Sequence, residues 1–221
     1  MRVDILTASS INGIITPGRG RCSHDLVPVL NPPPELWEAK SEIRRRADAV
    51  LVGSGTVLSN DPTMSSHASP GYEVVRATID SGGRIPPGFR FFDGSVRTLV
   101  GVTDTTPESY RKLLETRGVE AVPCGSDRPE LPLFLAGLEE RGIRSAVCEG
   151  GGILNRALLD QGFVGRIHLL LLEVILDAGS VNLFEGPGLP VPLRLESLER
   201  IGESVLLTYV LNRTEPSPGG G

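Results

Sequence analysis

A single carboxylate, Glu149, stands between the apolar run Ser145 to Cys148 and three consecutive glycines, Gly150 to Gly152, after which the pattern turns helical through Gln161. The order is that of a strand, a tight turn and a helix start. Such a turn points the free N–H groups of the helix's first turn out beyond the carboxyl end of the strand, where their partial positive charge favours a phosphate. Glycine lets the backbone approach a pyrophosphate closely. Glu149 then lies where an open α/β sheet presents its ligand crevice. The same residues also fit a plain helix-preceding turn with a solvated acid, since a glycine triplet is neither the dinucleotide fingerprint nor a Walker loop.

Three other stretches carry groups that could do chemistry. Ala8 to Gly13 is a small-residue turn after an apolar run, and a ligand could lie close to its backbone. Gly53-Ser54-Gly55 opens a second glycine-bearing turn, and Asn60, Asp61 and Pro62 end the short helical turn that follows. Residues 16–34, rich in Pro, Gly and Arg, read as a long surface loop without a regular element, serving either as a functional lid or as a tether. The basic run Arg44 to Arg46 is either a solvated helix face or the source of one guanidinium for a phosphate, and Arg19 and Arg21 in the long loop are alternatives.

The elements that must position these groups alternate. Val3 to Thr7, Ala49 to Val52, Val74 to Ile79, Thr98 to Val102, Val119 to Pro123 and Ile143 to Cys148 read as buried strands. Between them, Glu35 to Arg46 places Leu36, Ala39, Lys40, Ile43 and Ala47 at helical spacing, which predicts an amphipathic helix with a basic last turn. Thr106-Pro107-Glu108 opens a helix that Gly118 closes, and Pro132 to Arg141 is a helix stopped by Gly142. Strands alternating with helices imply parallel pairing. Past Gly162 the rhythm changes: Arg166 to Leu176 reads as a long strand, and Leu193 to Ile201 and Ser204 to Asn212 form a hairpin turning at Gly202-Glu203. The sheet is therefore expected to end in antiparallel strands, in one domain over residues 1–213, with 214–221 a disordered tail.

Composition narrows the partners. A chain of 221 residues with 39% hydrophobic and 22% charged residues is globular, and its formal net charge of −5 argues against nucleic acid. Cys22, Cys124 and Cys148 are far apart and suggest neither a zinc site nor a disulfide framework, and Cys148 reads as a small core residue. No stretch approaches ~18 apolar residues and no signal peptide is evident, so no membrane partner is expected and a cytoplasmic location follows by default.

The ordered series ASSINGIIT (8–16), IRRRADAVLVGSGTVLSNDP (43–62), VVRATIDSGGRIPP (74–87), GVEAVPCG (118–125) and GIRSAVCEGGGILNRALLDQGFVGRIHL (142–169) resembles the reductase of riboflavin biosynthesis. That family comprises the C-terminal domain of the bacterial bifunctional deaminase/reductase and its stand-alone archaeal and fungal relatives. The resemblance implies a dihydrofolate-reductase-like three-layer α/β fold, with a mostly parallel central sheet, helices on both faces and antiparallel C-terminal strands. It also implies NADPH as cofactor, a phosphorylated heterocycle as substrate, and a homodimer paired through the C-terminal strands. The reaction it implies is reduction of the ring-opened, Schiff-base form of a ribosylaminopyrimidine phosphate at the sugar C1′. The zinc-deaminase signature is absent and no metal is expected.

Carried over by motif, the resemblance places the pyrophosphate on Gly151, Gly152, Ile153, Leu154, Asn155, Arg156 and Ala157, with further cofactor contacts at Ala8, Thr56, Asn60 and Ser81. Substrate contacts fall on Ser23, Arg44, Met64, His67 and Glu149, and the candidate catalytic groups are Asn60, Asp61 and Glu149. Three positions depart from the family pattern. Asn60 stands where an aspartate is usual, His67 where arginine is common, and Asn12 where the family has aspartate. Asparagine cannot be an anion that stabilises an iminium, and neutral histidine grips a phosphate less firmly than a guanidinium fork. On this reading Asp61 partly replaces the missing carboxylate and Arg44 carries most of the phosphate recognition. A paralogous reductase of another pyrimidine, pterin or natural-product imine, and a catalytically silent cofactor-binding protein, are the alternative readings.

Overall fold

Strand β1 (Arg2–Ser10) alternates as a doubly covered strand must: Val3 and Ile5 face one side, Leu6 the other, and all three are buried. It can be buried on both faces because it sits inside a nine-stranded sheet, between β7 (Ser145–Cys148) and β8 (Val164–Leu172) and parallel to both. The computed structural model describes residues 1–18, 27–64, 74–177 and 181–212. Beyond β7 follow β3 (Ala49–Leu51), β4 (Val75–Ile79), β5 (Thr98–Val102) and β6 (Glu120–Pro123), all parallel. On the other side of β8 the hairpin of β10 (Leu193–Ile201) and β11 (Ser204–Leu211) completes the sheet with antiparallel pairing, as expected from the turn at Gly202.

Helices cover both faces. One face packs Leu6, Val50, Val100 and Val147 under α2 (Pro34–Arg45), α3 (Ser54–Asn60) and α4 (Glu108–Thr116). The opposite face packs Ile5, Leu51, Leu99 and Cys148 under α5 (Leu131–Glu140) and α6 (Gly152–Asp160). At Gly101 the approach is so close that a Cβ would lie 2.8 Å from the Phe134 ring, so the residue must be glycine for α5 to sit flat on β5.

The structure departs from the sequence reading at three places. Residues 16–34 do contain regular structure: β2 (Ile14–Thr16) ends there, and Val27–Leu30 forms a single helical turn, α1, closed by Asn31 N–H donating to Val27 O at 2.8 Å. Pro28 is tolerated there because the first turn of a helix needs no N–H. Strand β8 starts and stops earlier than Arg166 to Leu176, since Val164 already pairs with Val3 of β1 and the antiparallel partner β11, which begins at Ser204, does not extend past Leu172. The chain turns instead toward the tip after β1, where Ile11 N–H donates to Val174 O and Asn12 bonds both N and O of Leu176. The third is β9 (Val181–Asn182), too short to show a period, which pairs with β2. Ser23, His67, Arg19, Arg21, Cys22 and the 214–221 tail lie outside the described residues.

One fully buried cation fixes the segment after α3. Arg76, on β4, donates from Nε to Thr98 Oγ1 at 2.7 Å, from Nη1 to Thr63 O and Arg90 O, and from Nη2 to Asp93 Oδ1 at 2.7 Å, with its guanidinium 5.2 Å from the Phe91 ring centre. Partial burial pushes the Asp93 carboxyl up, but hydrogen bonds from Ser95 and Arg76 outweigh it and hold the group at about 2. A carboxyl depressed in the folded state contributes stability above its unfolded value of 3.8 that is lost as pH falls through about 2. Unfolding free energy measured by urea between pH 4 and 2 should therefore decline, and Asp93→Asn should flatten part of that decline; an unchanged slope would remove Asp93 from the account.

Candidate active site

Arg44 sits in the last turn of α2 and is buried there. It meets Glu149, the residue directly after β7, and the two groups join through Nε–Oε1 and Nη2–Oε2 as a two-pronged ion pair. Both side chains are largely withdrawn from water, at 6% and 12% exposure. The sequence named both as substrate contacts; the structure makes each the other's partner.

Lys40 lies one turn earlier on the same face as Arg44, in the stripe that includes Leu36 and Ile43. The residue is half-buried overall, and its ammonium lies 5.5 Å from the ring centre of Trp37. Burial pulls its pKa below the ordinary lysine value, Glu149 opposes that shift, and Arg44 adds to it. Three charges from α2 and the end of β7 thus share one neighbourhood. Lys40 was read only as a member of the helical stripe, and the signal that could have singled it out is a lysine on an otherwise core-facing helix surface.

Beside this group two glycine turns lie edge to edge. Gly53 N–H donates to Gly150 O at 2.7 Å, and a Cβ on Gly53 would touch Gly151 N at 3.5 Å. A Cβ on Gly151 would point at Thr56 Oγ1, also at 3.5 Å. The turn at 150–151 includes a cis peptide, and Gly151 caps α6 without any side-chain hydrogen bond at that end. The cradle is therefore lined by backbone, with Thr56 at its edge, which suits the phosphates of a dinucleotide.

The remaining residues of the expected cofactor stretch divide by direction. Gly152 packs against the strand β9 segment so closely that a Cβ would collide with Asn182 O. Ile153 is 70% exposed, whereas Leu154 and Ala157 pack against the core. Asn155 is fully buried, donating to Leu183 O at 3.1 Å and accepting from Cys148 Sγ, and Arg156 pairs with Asp160 at 2.8 Å. The structure thus places Gly151 in the cradle and turns Asn155 and Ala157 inward. The Cys148 thiol is pushed by burial up to about 12, in keeping with a core residue.

On the far rim, Ser81 follows β4 and accepts Thr106 Oγ1 on its carbonyl at 2.7 Å. Next to it the buried carboxylate of Asp80 accepts from Arg84 N, Ile85 N and Tyr110 Oη, each at 2.8 Å. Arg84 crosses from there to Ser54 Oγ at 2.6 Å, joining this turn to the start of α3. Asn60 ends α3 with a buried Oδ1 that has no hydrogen-bond partner among the described residues. Asp61, in the left-handed region, accepts from Phe91 N on Oδ1 and pairs with Arg90 through Oδ2, both at 3.3 Å. Its carboxylate is engaged with that turn. Met64 is 7% exposed and packed in the core, and Ala8 is half-buried near the end of β1. Among the described residues no cluster of His, Cys, Asp and Glu could hold a metal ion, and no helix is long and apolar enough to cross a membrane.

A parallel sheet with paired glycine turns at the carboxyl ends of neighbouring strands defines an α/β protein with its ligand crevice at that edge. Residues 5–207 match the model of the RibD C-terminal domain, and the chain belongs to that family. Among its relatives, the 2,5-diamino-6-ribosylamino-4(3H)-pyrimidinone 5′-phosphate reductase of Methanothermobacter thermautotrophicus is 32% identical over 179 residues, spanning 77% of this chain and 82% of that protein. The protein of the same name from Archaeoglobus fulgidus is 32% identical over 183 residues, with 77% and 83% covered. Among solved structures, a pyrimidine reductase-like protein from Corynebacterium diphtheriae shares the fold at a TM-score of 0.78, with 18% identity and 96% and 92% of the two chains covered.

Replacing Glu149 with leucine removes the carboxylate that both prongs of the Arg44 guanidinium engage in a largely dry site, and should cost about 3–5 kcal/mol of unfolding free energy. The double variant Arg44→Met/Glu149→Leu, which removes both charges, should recover most of that loss. Equal destabilisation of the single and double variants by urea titration would show that the pair is not the interaction that matters there.

Proposed function

We propose that the protein is an NADPH-dependent reductase of a ribosylaminopyrimidine 5′-phosphate, reducing the ring-opened sugar imine at C1′ to the ribitylamino product. The carrying observation is the juxtaposition at the end of β7: Glu149, paired with Arg44, stands immediately before the glycine cradle at α6. A dinucleotide on the cradle and a substrate against α2 would meet at that carboxylate. The archaeal relatives carry the name of this reductase, and the family match covers nearly the whole chain.

When bound, the nicotinamide supplies a hydride. The chain's residues supply position and charge. Glu149, fixed in orientation by two bonds from Arg44, presents a carboxylate beside the cradle, where it can stabilise the positive charge of a protonated imine. The buried side chains of β1, α2 and β8 exclude water on one side, so the rate gain comes mainly from holding the acceptor carbon at near-attack distance. A second reading, a paralogous reductase of a related heterocyclic imine, is favoured by Asp61: its carboxylate is occupied by Arg90 and Phe91, leaving neutral Asn60 at the end of α3.

NADPH oxidation with the ribosylaminopyrimidine phosphate is the direct test, and turnover with another heterocyclic imine but not with this substrate would select the second reading. For the cofactor, Gly151→Ala is informative because its Cβ would make only ordinary contact with the protein. NADPH affinity by calorimetry should fall at least ~10-fold, about 1.4 kcal/mol, with the circular dichroism spectrum unchanged. Undiminished affinity would take the pyrophosphate away from this turn.

We also propose that the protein is a homodimer. Strand β10 is an edge strand with Leu195 46% and Leu198 62% exposed, and such an edge left open invites uncontrolled pairing. Sedimentation at micromolar concentration should show twice the 23.6 kDa chain mass, and Leu198→Lys should shift the balance to monomer. A wild-type chain that sediments only as monomer would end this proposal.

A further inference from the structure

Two residues other than glycine hold left-handed backbone just after α3: Asp61 with φ 39° and Met64 with φ 55°. That region is unfavourable for an L-residue, more so for methionine than for aspartate, and it persists only where the surroundings over-determine it. Here the surroundings are specific. Asp61 is gripped by its side chain, which accepts from Phe91 N and pairs with Arg90, both at 3.3 Å. Thr63 is gripped by its backbone, since its carbonyl accepts from Arg76 Nη1, which also reaches Arg90 O at 3.3 Å. The turn is thus clamped at 61 and at 63 against one segment, the single 3-10 turn Arg90–Phe92.

A guanidinium is a costly way to stabilise a core. The Arg76 side chain is fully buried, and a well-packed apolar side chain would avoid the loss of its hydration. What no apolar residue supplies is a set of donors for carbonyls of two separate segments at once. The clamped turn carries the end of α3, and Asn60 stands there one helical turn beyond Thr56, so the two share a face. Thr56 borders the cradle, its Oγ1 3.5 Å from where a Cβ on Gly151 would lie. The Oδ1 of Asn60 is buried without a hydrogen-bond partner among the described residues. A buried acceptor in that state is unfavourable until a ligand brings it a donor.

We propose that Arg76 is a positioning residue for the cofactor: by clamping the turn 61–64 it holds Asn60 Oδ1 ready to accept an N–H of the bound dinucleotide. The inference rests on the reading that the glycine cradle binds NADPH, and it adds a residue that touches neither ligand. Arg76 acts through Thr63 O and Asp61 through the Arg90 segment, so the two form one clamp with Asn60 as its output. The left-handed backbone at Asp61 and Met64 is the conformation that this clamp maintains.

The test measures NADPH affinity by calorimetry in wild type, Arg76→Lys, Asn60→Ala and the double variant, with circular dichroism and urea midpoints to check the fold. Asn60→Ala should weaken NADPH at least ~10-fold, and Arg76→Lys at least ~5-fold, since one ammonium cannot serve all the acceptors of a guanidinium. The double variant should be no worse than Asn60→Ala, because Arg76 acts through that residue. Asp93→Asn keeps an acceptor for Arg76 and leaves the turn alone, so it should bind NADPH as wild type does; a loss equal to that of Arg76→Lys would mark the effect as general destabilisation and overturn the proposal. If Arg76→Lys does not fold, the partly exposed Asp61 decides. Asp61→Ala should show the same non-additive loss, and Asp61→Asn, which tolerates left-handed backbone and keeps an acceptor for Phe91 N, should restore affinity. Wild-type affinity in folded Arg76→Lys and Asp61→Ala, or losses that multiply with that of Asn60→Ala, would overturn the assignment. NADPH binding that depends on Arg76, without turnover of the pyrimidine phosphate, ends the proposed reaction and leaves this inference standing; a wild type that binds no NADPH ends both.

Discussion

The contact between Arg44 and Glu149 ties together the two parts of the molecule that a ligand has to bridge. Each side chain has given up most of its hydration, and the bond between them offsets much of that cost. Together they fix the last turn of α2 to the end of β7, and hence fix how far the glycine cradle lies from the helix that covers β1. Such a pair is weak evidence for net stability, since an apolar replacement would pack as well. What it supplies is a carboxylate with one orientation, in a place where a freely rotating one would be of little use to a reacting carbon.

The opposite rim is held by a different device with the same logic. Arg76 is fully buried and has four acceptors, and through Thr63 O and Arg90 O it holds together the same two turns that Asp61 bridges. Asp80 does the same with reversed sign, collecting two backbone N–H groups and the Tyr110 hydroxyl, whose pKa burial and that carboxylate together drive far up. The crevice is thus bordered by turns whose backbones are bonded to buried charges. Loops arranged in this way keep their geometry without needing regular secondary structure.

The strands and most helices were legible in the sequence because both sheet faces are covered, so β1, β3, β4, β5 and β7 are plain apolar runs and the helices between them carry clear stops at Gly118 and Gly142. What could not be read there depends on pairing at a distance. Strand β9 is two residues long and exists only because β2 offers it an edge, and the end of β8 is set by where β11 begins. The site shows the same division. Glu149 and Arg44 were recognisable as residues, but their mutual engagement was not, since 105 positions separate them. Asp61 looked like a replacement carboxylate, and only the placement of Arg90 and Phe91 shows that its oxygens are already taken.

The order of charges across the crevice has a consequence for how two anionic ligands can share it. The cradle at Gly151 offers backbone N–H groups and the partial positive charge of α6, a nine-residue helix, with the Arg84 guanidinium bonded to Ser54 at the start of α3. Arg44 and Lys40 sit on α2, beside Glu149. A pyrophosphate needs many donors and a close backbone, whereas a terminal phosphate monoester is best met by a point charge. Glu149 lies between the two environments and disfavours any anion midway. Under the proposed function, two phosphorylated ligands would be kept apart at opposite ends while the nicotinamide and the imine carbon approach one another beside that carboxylate, which is the arrangement a direct hydride transfer requires.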